Sequence, residues 1–396
     1  WYAEHGIELR RGVRVLGVDR DEQEVVLVDG SRLPYDRLVL ATGSIPTLPP
    51  IRGLVRRDGS LRPDVHAFRS LADCDRLEAA VPSSRRAVVV GGGLLGVQVA
   101  RALTVRGLGT EVVEGAEHLL ASHLDAAGAR VLERELRRLG TEVYTGTRAV
   151  RISDDGLRLD NGVVLETDLV VLTAGGRPST ALARRAGLMV RRGIVVDRRL
   201  ASVTDERIHA IGDCAEHRGV ISGFVPPAWD QALVLADHLT GGGAAHTASR
   251  TVARLRATGL EVAVLGDPEH ADGEVVEVTN PLARSHRKLV IRDGMIAAAC
   301  LVGDLARVGL ITQLYDHDTV LGAHEPGKLL MGESIAPAAE LPEEAEVCAC
   351  AGVSAGRVRA CRDLADVRST TRATTGCGGC EPVVRRLLEP AGAGVD

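Results

Sequence analysis

An α/β fold is predicted: two doubly wound units, a small α+β domain behind them and a cysteine-bearing module at the end. Three observations carry that prediction. A four-residue apolar run, Ala87–Val90, leads into Gly91-Gly-Gly93-Leu-Leu-Gly96, and helix-period spacing follows from Leu94 to Arg106. Between residues 86 and 173, strand-length apolar runs alternate with helix-length amphipathic segments, the pattern of a sheet wound by crossover helices. Finally, Val39-Leu-Ala-Thr-Gly43 is echoed by Val171-Leu-Thr-Ala-Gly175. Two apolar strands with the same small-residue ending suggest two units of common design, with chance similarity as the alternative.

Composition narrows the class. The 396 residues suit two to four domains, and an apolar share of 45% is enough for several cores. Only 2% of residues are aromatic, so those cores must be aliphatic. A formal charge of −5 gives no footprint for nucleic acid and no polybasic membrane patch. No run of 18 or more apolar residues exists that could span a membrane as a helix. The eight cysteines are too few for a secreted disulfide scaffold of this length, so a reducing, cytoplasmic setting is expected.

The elements follow in order. Trp1-Tyr-Ala-Glu-His-Gly6 reads as the end of a helix, and the start at Trp1 rather than Met leads to the expectation that a preceding segment is missing. Strands are predicted at Arg14–Asp19, Glu24–Val28 and Arg37–Ala41, with a turn at Asp29-Gly30. Ser44–Gly53 reads as a Pro-rich loop and Val65–Val81 as a connecting helix. After the glycine turn come a strand at Glu111–Glu114 and a helix at His123–Leu139. Strands are then expected at Glu142–Tyr144, Val150–Ser153, Leu157–Leu159 and Asp168–Thr173. Ile208–Asp213 and a helix at Trp229–Leu239 precede the linker Gly241-Gly-Gly243. Expected domain limits are 1–84 and 201–243 for a first, split unit and 85–200 for the second. The small α+β domain is expected at 244–338 and the cysteine module at 343–396.

The glycine turn carries the first chemistry. Gly91 permits the tight turn, Gly93 lets backbone approach a pyrophosphate at the positive end of the helix, and Gly96 lets helix pack closely on strand. Glu114, at the end of the next strand, would accept hydrogen bonds from the ribose 2′-hydroxyl of NAD and repel the 2′-phosphate of NADP; no Arg follows it directly. A Gly-rich turn in another kind of α/β protein is the competing reading.

The second chemistry is terminal. Cys348-Ala-Cys350 and Cys377-Gly-Gly-Cys380 are separated by 26 residues. Thiolates in close pairs suit iron–sulfur clusters or zinc. Zinc ribbons usually pair two Cys-x₂-Cys knuckles, and the tighter Cys-x-Cys here favours [2Fe–2S], with a closed Cys₄ zinc site as the rival. Thr374-Thr-Gly376 precedes the second pair, and Pro382–Leu388 reads as a helix behind it whose N-terminus would stabilise thiolate. Cys74, Cys214, Cys300 and Cys361 are expected to be buried small hydrophobes, Cys361 in particular having no partner.

Four motifs in a fixed order resemble one family. Ala41-Thr-Gly43, the Gly91–Gly96 turn, Ala174-Gly-Gly-Arg-Pro178 and Thr204-Asp-Glu-Arg-Ile-His-Ala-Ile-Gly-Asp213 look like those of the FAD-dependent pyridine nucleotide-disulfide oxidoreductases, over residues 1 to about 335. That resemblance implies Asp213 on the ribityl chain of FAD, with Thr42, Gly43, Gly175 and Gly212 as further cofactor contacts. Gly212-Asp-Cys-Ala-Glu-His217, Pro226-Pro-Ala-Trp229-Asp-Gln231-Ala and the terminal cysteines narrow the likeness. They are similar to the flavin-containing part of assimilatory NAD(P)H nitrite reductase large subunits and to assimilatory nitrate reductase electron-transfer subunits. In those, a helical bacterioferritin-associated-ferredoxin-like module carries a [2Fe–2S] cluster. The implied ligands are Cys348, Cys350, Cys377 and Cys380. The family's own FAD glycine fingerprint precedes the point where this chain starts, and its sirohaem region follows the point where it stops.

The resemblance implies NAD(P)H as electron source, with NADH preferred on the evidence of Glu114, FAD and a [2Fe–2S] cluster as carriers, and a nitrate or nitrite reductase catalytic subunit or domain as partner. It admits a homodimer and implies neither nucleic acid nor membrane. No catalytic side chain is assigned, because cofactors carry the chemistry. Two other readings stay open: a rubredoxin or ferredoxin reductase serving another acceptor, and a non-enzymatic iron-handling module on a degenerate flavoprotein scaffold.

Overall fold

A computed structural model describes residues 1–247, 250–331, 341–348, 351–375 and 380–388. The backbone separates into two compact units, 1–47 with 175–249 and 48–174 with 250–396.

In the first unit, Val15–Asp19, Glu24–Leu27 and Arg32–Pro34 form an antiparallel meander. Asp29-Gly30 makes its second turn, with Gly30 at φ +81° and its N–H on the Leu27 carbonyl. Leu38–Leu40 pairs in parallel with Ile208–Ala210, and Ile194–Val196 with Ala215–His217. Leu40, Ile194, Val196, Leu200, Ile208 and Leu235 pack into its aliphatic core. Cys214 lies in that core, its Sγ 3.3 Å from the Leu40 carbonyl. The helix starts at Val225 and runs to Leu239, four residues earlier than predicted. Pro226 and Pro227 occupy its first turn, where a missing N–H costs no helical bond.

The second unit is built on an all-parallel five-stranded sheet in the order Val65–Ala67, Leu169–Leu172, Arg86–Val90, Gly109–Val113, Thr141–Tyr144. Its central strands are buried on both faces, as their unbroken apolar runs require. An antiparallel excursion, Ala149–Ser153, Gly156–Leu159 and Val164–Leu165, interrupts the return. The helices Leu94–Val105 and Ala126–Arg138 match expectation within a few residues. Asp125 caps the second of these through the Gly128 N–H at 2.8 Å and also reaches Lys288 Nζ at 3.2 Å. That contact ties the sheet's helix to the small domain, a five-stranded antiparallel sheet in the order Val252–Ala257, Leu260–Leu265, Met295–Val302, Ser285–Arg292, Glu274–Asn280. Buried Arg101 adds a second tie, donating to the carbonyls of Thr258 and Leu139. The terminal module has a short strand pair, Glu346–Cys348 with Val353–Ser354, and the helices Ala355–Arg359, Leu364–Thr371 and Glu381–Leu388 around a core of its own. No helix among the described residues is long and apolar enough to cross a membrane.

Three expectations need correction. Val65–Ala67 is an edge strand paired with Leu169–Leu172, and only Leu71–Ala80 of the expected connecting helix is helical. Ser70 forms a capping box with Asp73 that starts that helix. Within the Pro-rich loop, Ser44–Pro46 is a strand held by Gly176–Pro178. With these two pairings, residues 48–84 lie in the second unit and 175–200 in the first. Cys74 is exposed on the outer face of its helix rather than buried.

Candidate functional site

The glycine turn sits at the carboxyl end of Arg86–Val90, a central strand of the parallel sheet. Gly91 adopts φ +116°, its N–H donates to the Val113 carbonyl at 2.9 Å, and a Cβ there would lie 2.6 Å from the Thr173 carbonyl oxygen. Gly96, in the first turn of the helix, has the Gly91 carbonyl oxygen where a Cβ would stand, 1.8 Å away. Gly93 is different: it caps the 12-residue helix with no side-chain cap of its own, and a Cβ there would meet nothing within 4 Å. The turn thus leaves an open concavity over a helix N-terminus, with N–H groups and the positive end of the helix dipole facing it. A pyrophosphate fits that space and chemistry.

Glu114 follows the next strand, as the sequence suggested. Its Oε2 accepts from the Gly92 N–H at 2.6 Å and its Oε1 from the Ala116 N–H at 2.8 Å. The carboxylate is therefore fixed beside the glycine turn, where a ribose diol could reach it. Thr173, not singled out in the sequence, donates its hydroxyl to the Gly91 carbonyl at 3.0 Å and to the Val90 carbonyl at 3.2 Å, locking the turn from the neighbouring strand.

The other predicted residues gather in the first unit, at the carboxyl ends of the parallel pair Leu38–Leu40 and Ile208–Ala210. Thr42 Oγ1 donates to the Ser179 carbonyl at 2.7 Å, and the Gly43 carbonyl accepts the Ser179 N–H. Ser44 Oγ donates to Asp213 Oδ2 at 2.7 Å, joining the two strand ends. Gly212, at φ +72°, donates its N–H to Gln231 Oε1 at 2.7 Å, and Gly175, at φ +88°, accepts from the Thr47 N–H. Crevices outside such strand ends are where ligands bind in doubly wound sheets. Ser44 and Gln231 were legible only as neighbours of the motifs. Upstream in the last motif, the Arg207 guanidinium holds the buried Asp205 carboxyl down to about 2, with Arg20 as a second partner.

In the terminal module, Cys348 ends its strand and Cys380 stands immediately before the helix Glu381–Leu388, its carbonyl accepting the Val384 N–H. Both thiols are buried in one core with Val353, Val358, Val367 and Val384. One member of each sequence pair is thus brought into the same core, and soft sulfur donors suit a cluster there. Cys350 and Cys377 lie outside the described residues. Cys361 instead contacts the Arg357 carbonyl and Thr370 Oγ1. Burial pushes the Cys300 thiol well above its ordinary range, so it stays protonated and inert.

The sequence pattern of the pyridine nucleotide-disulphide oxidoreductases matches residues 2–233, and that of the BFD-like [2Fe-2S] binding domain matches residues 346–390. The nitrite reductase [NAD(P)H] of Bacillus subtilis is 33% identical over 98% of this chain and 49% of its own length. The assimilatory nitrate reductase electron transfer subunit of the same organism is 30% identical over 98% of this chain and 51% of its own. The chain therefore spans about half the length of these curated relatives. Among solved structures, a ferredoxin reductase from Rhodopseudomonas palustris superposes with a TM-score of 0.70 at 27% identity, covering 78% of this chain and 76% of that one. FAD and NAD(P)H are the cofactors that the first match brings, and a [2Fe–2S] cluster the second. The two matches give the chain its place: it belongs to the pyridine nucleotide-disulphide oxidoreductase family and carries a BFD-like [2Fe–2S] binding domain over residues 346–390.

Proposed function

We propose that this chain is the electron-input part of an assimilatory nitrite- or nitrate-reducing system, drawing on NADH and delivering to a catalytic subunit or domain. One observation carries the reading: relatives matched over 98% of the chain, cysteine module included, are a nitrite reductase and a nitrate reductase electron transfer subunit. A rubredoxin or ferredoxin reductase accounts for the nucleotide-binding units but leaves the terminal cysteines without a task.

In this reading Gly91, Gly93 and Gly96 seat the dinucleotide pyrophosphate and Glu114 holds the adenosine ribose. Thr42, Gly43, Gly175, Gly212 and Asp213 hold FAD, with Ser44 fixing the Asp213 carboxylate for the ribityl chain. Cys348, Cys350, Cys377 and Cys380 hold the cluster. Bound FAD supplies the change from paired to single electrons, and the cluster supplies one-electron delivery. The chain's own task is orientation: the Gly212 backbone is held by its N–H bond to Gln231 Oε1, the Glu114 carboxylate by two backbone N–H groups, and the Cys348 and Cys380 thiols by an aliphatic core. No side chain needs to act as acid, base or nucleophile.

The test pairs the purified full-length protein with separate acceptors and follows NADH oxidation. A nitrite- or nitrate-reducing catalytic partner should accelerate it. Acceleration by rubredoxin or ferredoxin alone would replace this reading with the reductase one.

A further inference from the structure

The acidic residue at the end of the second strand argues for NADH, and no cation follows it in sequence. The fold supplies one from elsewhere. Residues 146–148, which lead into the antiparallel excursion, are bonded to the segment that carries Glu114: the Gly146 N–H donates to the Ala116 carbonyl at 2.7 Å and the Thr147 N–H to the Glu114 carbonyl at 3.2 Å. Arg148 then lays its side chain across Gly115. A Cβ on Gly115 would lie 2.9 Å from Arg148 Nε, 3.0 Å from its Cγ and 3.5 Å from its Cδ. Gly115 has no side chain, and the Arg148 stem and guanidinium fill the space that one would take.

The backbone of Arg148 is fixed while its charge is not. Its N–H donates to Asp160 Oδ1 at 3.1 Å and its carbonyl accepts the Asp160 N–H at 2.9 Å, with Thr147 Oγ1 on the same carboxylate at 2.5 Å. Among the described residues the exposed Arg148 guanidinium forms no ion pair and no hydrogen bond. Glu114 does not pair with it; its two oxygens each accept a backbone N–H, from Gly92 and Ala116. A planar cation with five donors, anchored at its base and unpaired at its tip, lies one residue from the ribose-binding carboxylate.

We propose that Arg148 receives the 2′-phosphate of NADP(H) and offsets the repulsion from Glu114, so that this site takes both dinucleotides. The proposal rests on the assignment of Gly91–Gly96 and Glu114 to the nucleotide. A 2′-phosphate carries between one and two negative charges at neutral pH, and guanidinium–phosphate bonding is charge-assisted and often bidentate. At an exposed site the contribution is screened by salt and should be about tenfold in affinity.

The experiment is isothermal titration of the oxidised dinucleotides NAD⁺ and NADP⁺ into full-length wild-type, Arg148→Ala and Arg148→Lys proteins at two salt concentrations. No turnover takes place, so only binding is read. NADP⁺ should bind the Ala variant about tenfold more weakly than wild type, with NAD⁺ changed less than twofold. The Lys variant should keep part of the difference, and only proteins with a cation at 148 should lose NADP⁺ affinity with added salt. Unchanged NADP⁺ binding in the Ala variant overturns the proposal. So does an equal loss for both ligands, which would mean that Arg148 stacks on the adenine or only supports the loop. Failure of NAD⁺ to bind wild type would overturn the nucleotide-site assignment itself, and the proposal with it.

Discussion

Gly93→Ala and Gly96→Ala differ by three positions in one turn and should fail in different ways. At Gly96 a methyl group would stand 1.8 Å from a backbone oxygen and 2.7 Å from Thr173 Oγ1. Carbon–oxygen contacts settle beyond about 3 Å, so helix and strand must part by roughly 1 Å or more, and such overpacking costs about 1–3 kcal/mol or more. The gain from replacing glycine inside a helix, about 1 kcal/mol, offsets only part of that. A contact as close as 1.8 Å puts the cost at the upper end, about 3 kcal/mol less about 1, or roughly 2 kcal/mol net; in a unit of this size each 1 kcal/mol is worth roughly 2–4 °C, so Gly96→Ala should lower the melting temperature by about 4–8 °C. At Gly93 the methyl group meets nothing within 4 Å, and the residue already has φ −74° with extended ψ. Its stability cost is confined to the poorer cap, at most about 1 kcal/mol. The methyl group does, however, occupy the open space assigned to the pyrophosphate. NAD⁺ affinity should fall at least about tenfold, 1.4 kcal/mol. Thermal melts and isothermal titration on the full-length protein separate the two effects. Equal destabilisation by both substitutions, or normal NAD⁺ binding by folded Gly93→Ala, would refute the reasoning.

Further substitutions test other parts. Glu114→Ala removes the acceptor of two backbone N–H groups and the charge facing a 2′-phosphate, so the ratio of NADPH to NADH affinity should rise about tenfold in titrations. The Asp205 carboxyl is held at about 2 against an ordinary 3.8, chiefly by Arg207. A depressed native value stabilises the fold above the unfolded pKa, so roughly 2 kcal/mol should be present above pH 4 and lost as pH falls through 2. Denaturant titrations of wild type and Asp205→Asn should therefore converge at acid pH and differ near neutrality. Cys380→Ser should abolish bound iron and sulfide while leaving flavin content near wild type, because the thiol lies in a core separate from the nucleotide-binding strands; iron assay and flavin absorbance read the two independently.

The parts legible in the sequence were those whose signal is local. The Gly91–Gly96 turn announces itself because sheet, turn and helix are contiguous, and each glycine answers a separate steric demand. The long helix Ala126–Arg138 was readable from spacing, but its start was set three residues early because the pattern does not show that Asp125 is the cap. Val65–Ala67 was hidden in a helix-like stretch: three residues carry no periodicity, and what makes them a strand is Leu169–Leu172, more than 100 residues away. Ser44–Pro46 was likewise disguised by prolines, which an edge strand tolerates. Cys74 looked like a core residue by type, yet it occupies the solvent face of a helix whose core contacts come from Leu77. Arg148 was invisible as a neighbour of Glu114, because their proximity depends on the backbone bonds between 146–147 and 114–116.

The most direct test of the central claim, that one chain carries electrons from a dinucleotide to a terminal cluster, is the visible spectrum of the full-length protein under anaerobic conditions before and after NADH. The expected result is the loss of both flavin and [2Fe–2S] absorbance on one addition of NADH. A colourless zinc-loaded terminal module, or a flavin that bleaches while an intact cluster spectrum stays unchanged, would contradict it.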